Sequence, residues 1–246
     1  MSRMKFLNTE VDNLSMDEAL KRIDKLVIER KPSYVVTPNV DHIVKLDSDK
    51  KFREVYEDAD LILTDGMPLI WISKLKGTPI KEKVSGSDLF PKVCELSARN
   101  GYRVFLLGAA EGIAEKAAKN LQNKYKGLRI VGTYSPKYGF EKDKKEIDKI
   151  SSIIKLAKPD ILAVGLGAPK QEKFIHEFKD KLEVPVSLAI GASIDFEAGN
   201  VERAPKWMQN NGLEWMYRLY KEPKRMYKRY LVEDLKILKL VLKYRT

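Results

Sequence analysis

A glycine-rich turn followed by a lysine could bind phosphate. The apolar run Ile161–Val164 ends at the segment G-L-G-A-P-K-Q-E, in which Gly165 and Gly167 flank a leucine. Glycine adopts backbone conformations that a side chain forbids, and proline is favoured in the first turn of a helix. We therefore expect the free N–H groups of Lys170 and Gln171 to point out of a helix N-terminus, where anions bind beside the lysine charge.

A second apolar run, Val186–Ile190, ends in another glycine-rich turn and is followed by Asp195 and Glu197. Two adjacent strand ends that offer N–H groups, a lysine and carboxylates are typical of nucleotide sites in α/β proteins. The first turn is not the dinucleotide fingerprint, because a lysine occupies the third glycine position of G-x-G-x-x-G, and it is not a Walker loop. A tight strand-to-helix turn of any α/β protein is the alternative interpretation.

Asp65 is the candidate for accepting a proton from a substrate. It follows the apolar run Leu61–Leu63 after one intervening residue, Thr64, and precedes a glycine, so its carboxylate would stand at the end of a strand. A general base needs such a position within reach of the proton that it removes. The alternative is a turn residue, or the N-cap of a helix that Pro68 can open.

The sequence offers no clear metal site. It contains two histidines and one cysteine, with neither C-x-x-C nor H-E-x-x-H. Asp58-Ala-Asp60 has the Asp-x-Asp form that holds a divalent ion in many sugar-nucleotide enzymes, but it precedes the strand of Asp65 and should lie at the opposite sheet edge. We therefore predict no metal and no other cofactor, so cationic side chains and helix N-termini would offset diphosphate charge.

A parallel sheet would bring these distant residues together. Apolar runs alternate with helical patterns as far as Gly199, which predicts a Rossmann-like α/β domain over residues 1–199, with a mostly parallel sheet and helices on both faces. In such a sheet, ligands bind at the carboxyl ends of the strands. That rule selects Thr37 and Asn39, Asp65, Gly108, the loop Tyr134–Phe140, Gly165–Gln171 and Gly191–Glu197.

Residues 200–246 predict a basic helical appendage. From Arg203 to Thr246 there are twelve Lys and Arg against four Asp and Glu, which supplies most of the net charge of +11. Beyond Pro223, a helix would carry one apolar face formed by Leu231, Leu235, Leu238 and Leu242. Either this face packs on the domain, or it docks on an anionic membrane surface with aromatic residues at the interface. Exposed apolar surface could equally serve a homo-oligomer.

Composition excludes other classes of protein. The 246 residues are 43% hydrophobic and 33% charged, as in a globular chain. The single cysteine, Cys94, allows no internal disulfide and fits a reducing cytoplasm. We expect no signal peptide, and no apolar run approaches the roughly 20 residues that span a bilayer.

Taken together, the motifs resemble those of the WecG/TagA/CpsF glycosyltransferases, which make teichoic-acid linkage units and related bacterial glycans. The resemblance covers nearly the whole chain, in order, including the basic tail. The motifs are T-P-N at 37–39, T-D-G at 64–66, L-L-G-A-A at 106–110, G-L-G-A-P-K-Q-E at 165–172, G-L-E-W-M-Y-R-L at 212–219 and K-E-P at 221–223.

The resemblance implies an inverting, metal-independent enzyme of cell-wall or surface polysaccharide synthesis. It would transfer N-acetylmannosamine from UDP-N-acetylmannosamine to N-acetylglucosamine on undecaprenyl diphosphate, with a β-1,4 link. The catalytic base would be Asp65, and Thr37 and Asn39 would be polar residues beside the donor or acceptor. The protein would be cytoplasmic and bound peripherally to the inner face of the membrane.

The remaining predicted site residues fall into two groups. The UDP-sugar would contact Gly108, Tyr138, Gly165, Gly167, Lys170, Gln171 and Asp195, with Tyr138 stacked on the uracil. The diphosphate groups and the membrane would contact Arg203, Arg218, Arg225 and Arg229, and the resemblance implies that Arg218 also acts in catalysis.

Three alternatives remain open. The donor could be UDP-glucose or UDP-N-acetylmannosaminuronic acid. A non-enzymatic nucleic-acid-binding module would fit the charge and the aromatic residues; it would bind with a steep salt dependence and would leave Asp65 without a role. A nucleotide-dependent oxidoreductase is disfavoured by the missing third glycine. We predict the glycosyltransferase, with no nucleic acid as partner.

Overall fold

A computed structural model describes residues 3–244, apart from the side chains of Asn210 and Arg225. Six strands form one parallel sheet. They are β3 (Ser33–Val36), β4 (Leu61–Ile62), β5 (Arg103–Gly108), β6 (Arg129–Tyr134), β7 (Ile161–Gly165) and β8 (Val186–Ala189). Their order in the sheet is β4-β3-β8-β7-β5-β6, so the first four strands form the two edges and the last two lie in the centre. The predicted α/β architecture is confirmed.

Helices cover both faces of this sheet, so the side chains of β3 and β8 are buried throughout and do not alternate between buried and exposed. Val35 and Val36 are adjacent in β3 and are both buried, in different apolar clusters on opposite faces. The helices of the sheet domain are α1 (Met16–Glu29), α2 (Val40–Ser48), α3 (Lys50–Glu57), α4 (Met67–Leu75), α5 (Gly86–Asn100), α6 (Ile113–Lys124), α7 (Lys144–Ala157), α8 (Lys170–Leu182) and α9 (Ser193–Glu197), with a short 3₁₀ turn at Phe140–Lys142.

An N-terminal hairpin was not predicted from the sequence. It pairs β1 (Arg3–Phe6) with β2 (Thr9–Asp12) in antiparallel fashion. Each strand has four residues and buries only one side chain, so the apolar alternation is too short to detect. The Asp12 carboxylate accepts a hydrogen bond from the Ile62 N–H at 2.8 Å and thereby fixes the hairpin to β4.

The tail is helical, but it is not one uniform amphipathic helix. Its elements are α10 (Lys206–Asn210), α11 (Glu214–Lys221), α12 (Pro223–Lys228), a π-helical turn (Arg229–Glu233), a 3₁₀ turn (Asp234–Lys236) and α13 (Ile237–Lys243). None of the helices within residues 3–244 is long and apolar enough to cross a bilayer.

The four tail leucines that the helical spacing groups together are between 42% and 61% exposed, and two of them, Leu231 and Leu235, line a cavity between the tail and the sheet domain. Ile237 and Leu240 are instead buried in the same apolar cluster as β3 and β7. The tail therefore packs on the domain through other side chains, and the four leucines stay partly exposed. The division of the chain at residue 199 remains a prediction.

Candidate active site

The predicted site residues follow strands at the carboxyl edge of the sheet. Since neighbouring strands lie about 4.8 Å apart, the ends of β4 and β7 are separated by about 14 Å, a distance that one elongated ligand could span. In spatial order the row contains Asp65 after β4, Thr37 and Asn39 after β3, Asp195 after β8, Gly165–Gln171 after β7, Gly108 in β5 and Tyr138 after β6.

Asp65 is held by its backbone, and its carboxylate has no hydrogen-bond partner among the described residues. Its N–H donates to the Pro38 carbonyl at 2.8 Å, which joins the end of β4 to the end of β3. The N-cap of α4 is Gly66, with φ of +103°, and no side chain caps this helix. The alternative interpretation of Asp65 as an N-cap is therefore wrong.

Asp65 faces a cavity of about 340 Å³ between the sheet edge and the tail. Asn39 and Lys83 line it from the sheet domain. The tail lines the opposite side with Glu214, Trp215, Arg218, Arg229, Tyr230 and Asp234, among others. Because both parts contribute, the cavity exists only when the tail is docked on the sheet domain.

The surroundings of Asp65 favour a proton acceptor. Burial raises the pKa of its carboxyl above the usual range, and the negative charge of Glu214 raises this pKa further. The positive charges of Lys83 and Arg218 act in the opposite direction. Part of the residue remains accessible. A carboxylate with a raised pKa is a stronger base than an exposed aspartate, which suits general base catalysis.

A network of charged side chains joins the tail to α5 beside this cavity. Arg203 lies 2.8 Å from Asp88 and 3.4 Å from Glu214, and Lys83 lies 2.9 Å from Asp88. Although burial opposes it, bonding to Arg203 and to a serine hydroxyl holds the pKa of Asp88 well below its usual range. Arg203 does not line the cavity, and its charge is already offset by two carboxylates. Its contact with a diphosphate stays a prediction.

Two of the predicted tail arginines line the cavity. Arg218 Nη2 lies 3.4 Å from Glu214 Oε1 in the preceding turn of α11. Arg229 Nη2 donates to Asn39 Oδ1 at 3.3 Å, so the tail contacts a predicted substrate residue directly. The side chain of Arg225 lies outside the described part of the chain, and its role remains a prediction.

The strand-to-helix turn after β7 is present, its binding of phosphate stays a prediction, and one detail needs correction. The Gln171 N–H donates to the Gly167 carbonyl at 3.0 Å, because the turn already closes a helical hydrogen bond, so this amide is not free. The Lys170 ammonium lies 3.1 Å from Glu141 and 4.9 Å from the ring centre of Tyr138, which is fully exposed. An anion at this turn would compete with Glu141 for the lysine.

Two of the predicted glycines are explained by backbone packing. Gly108 has φ of +121°, and a Cβ on it would lie 2.3 Å from the Gly165 carbonyl oxygen. A Cβ on Gly165 would lie 2.8 Å from the Gly191 carbonyl oxygen. The three strand ends are therefore in close contact, and these glycines shape the floor of the predicted nucleotide site whether or not they bind a ligand.

Asp195 and Thr37 lie between the cavity and the glycine turns. The Asp195 carboxylate accepts a hydrogen bond from Asn200 Nδ2 at 3.0 Å, and the residue is half-buried, as is Thr37. Neither lines the cavity around Asp65. Their predicted contacts with a nucleotide sugar stay predictions.

Asp58 and Asp60 lie at the opposite edge of the sheet, as predicted. Asp60 accepts a hydrogen bond from the Tyr34 N–H at 2.9 Å, and Asp58 lies 2.9 Å from His176 Nε2. Within residues 3–244, no group of three or more His, Cys, Asp and Glu side chains is arranged to hold a metal ion. Metal independence stays a prediction.

Three charged residues of the cavity were not singled out in the sequence. Glu214 lies in the G-L-E-W-M-Y-R-L motif, so this motif could have drawn attention to it. Lys83 lies within a turn-rich connection, residues 78–87, that has no helical or strand pattern. Asp234 could not be found in this way, because only the packing of the tail turns its side chain into the cavity.

The burial of Asp234 predicts that docking of the tail depends on pH. Burial raises the pKa of its carboxyl to about 6, and the nearby Arg229 opposes this only in part. A raised carboxyl pKa stabilises the fold below the ordinary pKa, and this contribution is lost as pH rises through about 6. Asp234→Asn should therefore strengthen docking at pH 7.5 by about 1 kcal/mol after allowance for solvent screening.

Amide hydrogen exchange over residues 223–243 would measure this change. We expect about fivefold slower exchange in Asp234→Asn than in the wild type at pH 7.5. At pH 5 the wild-type carboxyl is largely protonated, so the two proteins should then differ little. Equal protection at pH 7.5 would contradict the assignment.

Comparison with known proteins finds a family that matches both the sheet domain and the tail. A model of the family described as "Glycosyl transferase WecG/TagA/CpsF family" matches residues 4–246, so the match includes the tail that completes the cavity.

Several similar proteins bear the name N-acetylglucosaminyldiphosphoundecaprenol N-acetyl-beta-D-mannosaminyltransferase. One from Bacillus spizizenii is 34% identical over 80% of this chain and 74% of its own length. One from Bacillus subtilis is 31% identical over 86% of this chain and 80% of its own length. One from Staphylococcus aureus is 26% identical over 92% of this chain and 87% of its own length. With the match over both sheet and tail, these similarities establish that the chain belongs to the WecG/TagA/CpsF family of glycosyltransferases.

Proposed function

We propose that this glycosyltransferase moves N-acetylmannosamine from UDP-N-acetylmannosamine to N-acetylglucosamine on undecaprenyl diphosphate. The names of the similar proteins from Bacillus and Staphylococcus support the transferred sugar and the acceptor. The observation that carries the proposal is the cavity itself, in which the half-buried Asp65 shares the lining with two arginines of the tail, Arg218 and Arg229.

The proposed reaction inverts the anomeric centre and forms a β-1,4 link. Asp65 removes the proton of the acceptor hydroxyl as that oxygen attacks the anomeric carbon in line with the departing phosphate. Negative charge grows on UDP as the bond to the sugar breaks. Arg218 offsets this charge from the tail, and Lys170 offsets it from the start of α8.

The same proposal assigns the tail to the lipid side of the reaction. The exposed leucines of the tail lie among lysines and arginines, a combination typical of helices that bind anionic membrane surfaces. Docking there would hold the protein at the inner face of the cell membrane beside its lipid-linked acceptor. Arg229 is then placed to contact the acceptor diphosphate while it holds Asn39.

A donor screen tests the function. The purified enzyme is incubated with a lipid-diphosphate-N-acetylglucosamine acceptor and, separately, with UDP-N-acetylmannosamine, UDP-glucose or UDP-N-acetylmannosaminuronic acid. We expect UDP release and a glycolipid heavier by one N-acetylhexosamine with the first donor, unchanged by EDTA. Faster turnover of another donor would overturn the donor assignment, and loss of activity in EDTA would overturn metal independence.

The charges around Asp65 predict opposite shifts of the pH profile in two variants. Since Asp65 acts as a base, kcat/KM should rise as pH passes through its pKa. Glu214→Gln removes a negative charge that raises this pKa, so the acidic limb should move to lower pH. Lys83→Met removes a positive charge that lowers it, so the limb should move to higher pH.

The measurement is kcat/KM against pH for the wild type and both variants under donor-limited conditions. If the acidic limb shifted in the same direction in both variants, or stayed unchanged in both, it would not report the ionisation of Asp65.

A further inference from the structure

A buried histidine–glutamate pair connects the part of the site that follows β3 with the part that follows β7. His42 lies in α2, which follows β3, and Glu172 lies in the first turn of α8, which follows β7. Their side chains are 6% and 2% exposed, and 3.3 Å separates His42 Nε2 from Glu172 Oε1. Because β8 separates β3 from β7, the contact bridges two strand ends that are not neighbours.

Each member of the pair also contacts a predicted substrate residue. His42 Nδ1 lies 2.7 Å from Asn39 Oδ1, the oxygen that also accepts from Arg229. At the other end, Gln171 Nε2 donates to Glu172 Oε1 at 2.7 Å. An unbroken series of side-chain contacts therefore runs from the tail and Asn39 to Gln171.

The series ends on the backbone of the predicted nucleotide site. Gln171 Oε1 accepts a hydrogen bond from the Gly191 N–H at 3.0 Å, at the end of β8. The Gln171 amide is thus held at both its oxygen and its nitrogen. Its orientation depends on Glu172, since the carboxylate accepts from the amide nitrogen.

Stability alone does not account for a carboxylate in this position. Burying a charged or polar group costs free energy, and an apolar pair of similar volume is often equally stable or more stable. His42 packs against Phe52 and Tyr56, with ring centres 5.8 and 6.3 Å apart. Among the described residues, neither Glu172 Oε2 nor the Tyr56 hydroxyl has a hydrogen-bond partner. This buried network therefore leaves two of its polar atoms without hydrogen bonds.

We propose that His42 and Glu172 are positioning residues that couple nucleotide binding at Gln171 to the orientation of Asn39 on the acceptor side. The proposal rests on the proposed function, because it takes UDP as the ligand on the Gln171 side. Gln171 is buried, so UDP that binds against the turns at Gly167 and Gly191 would act on its amide through the Gly191 N–H, and Glu172 and the His42 ring would adjust with it. Asn39 and Arg229 then take the position that the acceptor requires.

The chain contains only two histidines, which makes this coupling directly measurable. Imidazole NMR signals of the wild type would be followed during titration with UDP and assigned with His176→Gln. We expect the His42 signals to move with UDP occupancy. The His176 signals should not move, because this ring pairs with Asp58 at the opposite edge of the sheet.

A variant tests the role of the carboxylate. Glu172→Gln keeps the shape but removes the charge, and we expect its Kd for UDP to rise about tenfold and the response of His42 to be lost. Glu177→Gln, an exposed position on the same helix, is the matched control and should bind UDP like the wild type.

The outcomes separate this proposal from the proposed function. If wild-type protein does not bind UDP, both are overturned. If UDP binds while the His42 signals stay fixed, or if Glu172→Gln loses thermal stability but keeps its UDP affinity, the coupling is overturned and the proposed function stands. The wild-type titration needs no variant, so poor folding of Glu172→Gln would still leave a decisive result.

Discussion

Replacing Asp65 with asparagine should reduce kcat/KM by about 10²–10⁴-fold, the usual contribution of a positioned general base. Asparagine keeps the size of the side chain but cannot accept the acceptor's proton. The carboxylate has no hydrogen-bond partner among the described residues, so its loss should disturb little else. The measurement is UDP release with the lipid-linked acceptor, together with calorimetric binding of UDP, which should stay close to that of the wild type.

Asp58→Asn is the matched control for this substitution. Asp58 is exposed, lies a few residues before the same strand and faces the opposite edge of the sheet. We expect its activity to equal that of the wild type. If Asp65→Asn is as active as Asp58→Asn, Asp65 is not the base.

Arg218→Ala should lower kcat by about 10²–10³-fold, as expected when one preorganised group that stabilises developing negative charge is removed. Arg218 shares the cavity with Asp65, and it does so only because the tail is docked on the sheet domain. The guanidinium also lowers the pKa of Asp65, so the variant's acidic limb should move to higher pH. Rates should therefore be compared on the plateau of each pH profile, where Asp65 is ionised in both proteins.

Two further variants separate this role from general effects of charge. Arg218→Lys should recover only part of the activity, since an ammonium cannot form the two parallel hydrogen bonds that a guanidinium forms with phosphate. Lys221→Ala removes a positive charge from the same helix at a residue paired with Glu202 outside the cavity. Full activity of Arg218→Ala with a short-chain soluble acceptor would contradict a catalytic role. A defect confined to membrane vesicles would assign Arg218 to membrane binding instead.

In the tail, the sequence pattern does not predict which residues pack on the domain. Helical spacing predicts that Leu231, Leu235, Leu238 and Leu242 share one face, because the period of a helix is a local property, and all four are exposed in the structure. Which face meets the domain depends on the surface that the domain offers. A π-helical turn and a 3₁₀ turn precede α13, and Ile237 and Leu240 of α13 make the contact. The four leucines stay partly exposed.

By itself, the sequence determined the parallel sheet, the edge on which Asp65, Thr37, Asn39 and the Gly165–Gln171 turn stand, and the family. Strand and helix periods are properties of short segments, and a strand's direction fixes the edge at which the following residue lies. The tertiary structure alone decided which distant residues meet. The cavity that joins Asp65 to Arg218, and the contact of His42 with Glu172 across 130 residues of chain, depend on strand order and tail docking, which no local pattern encodes.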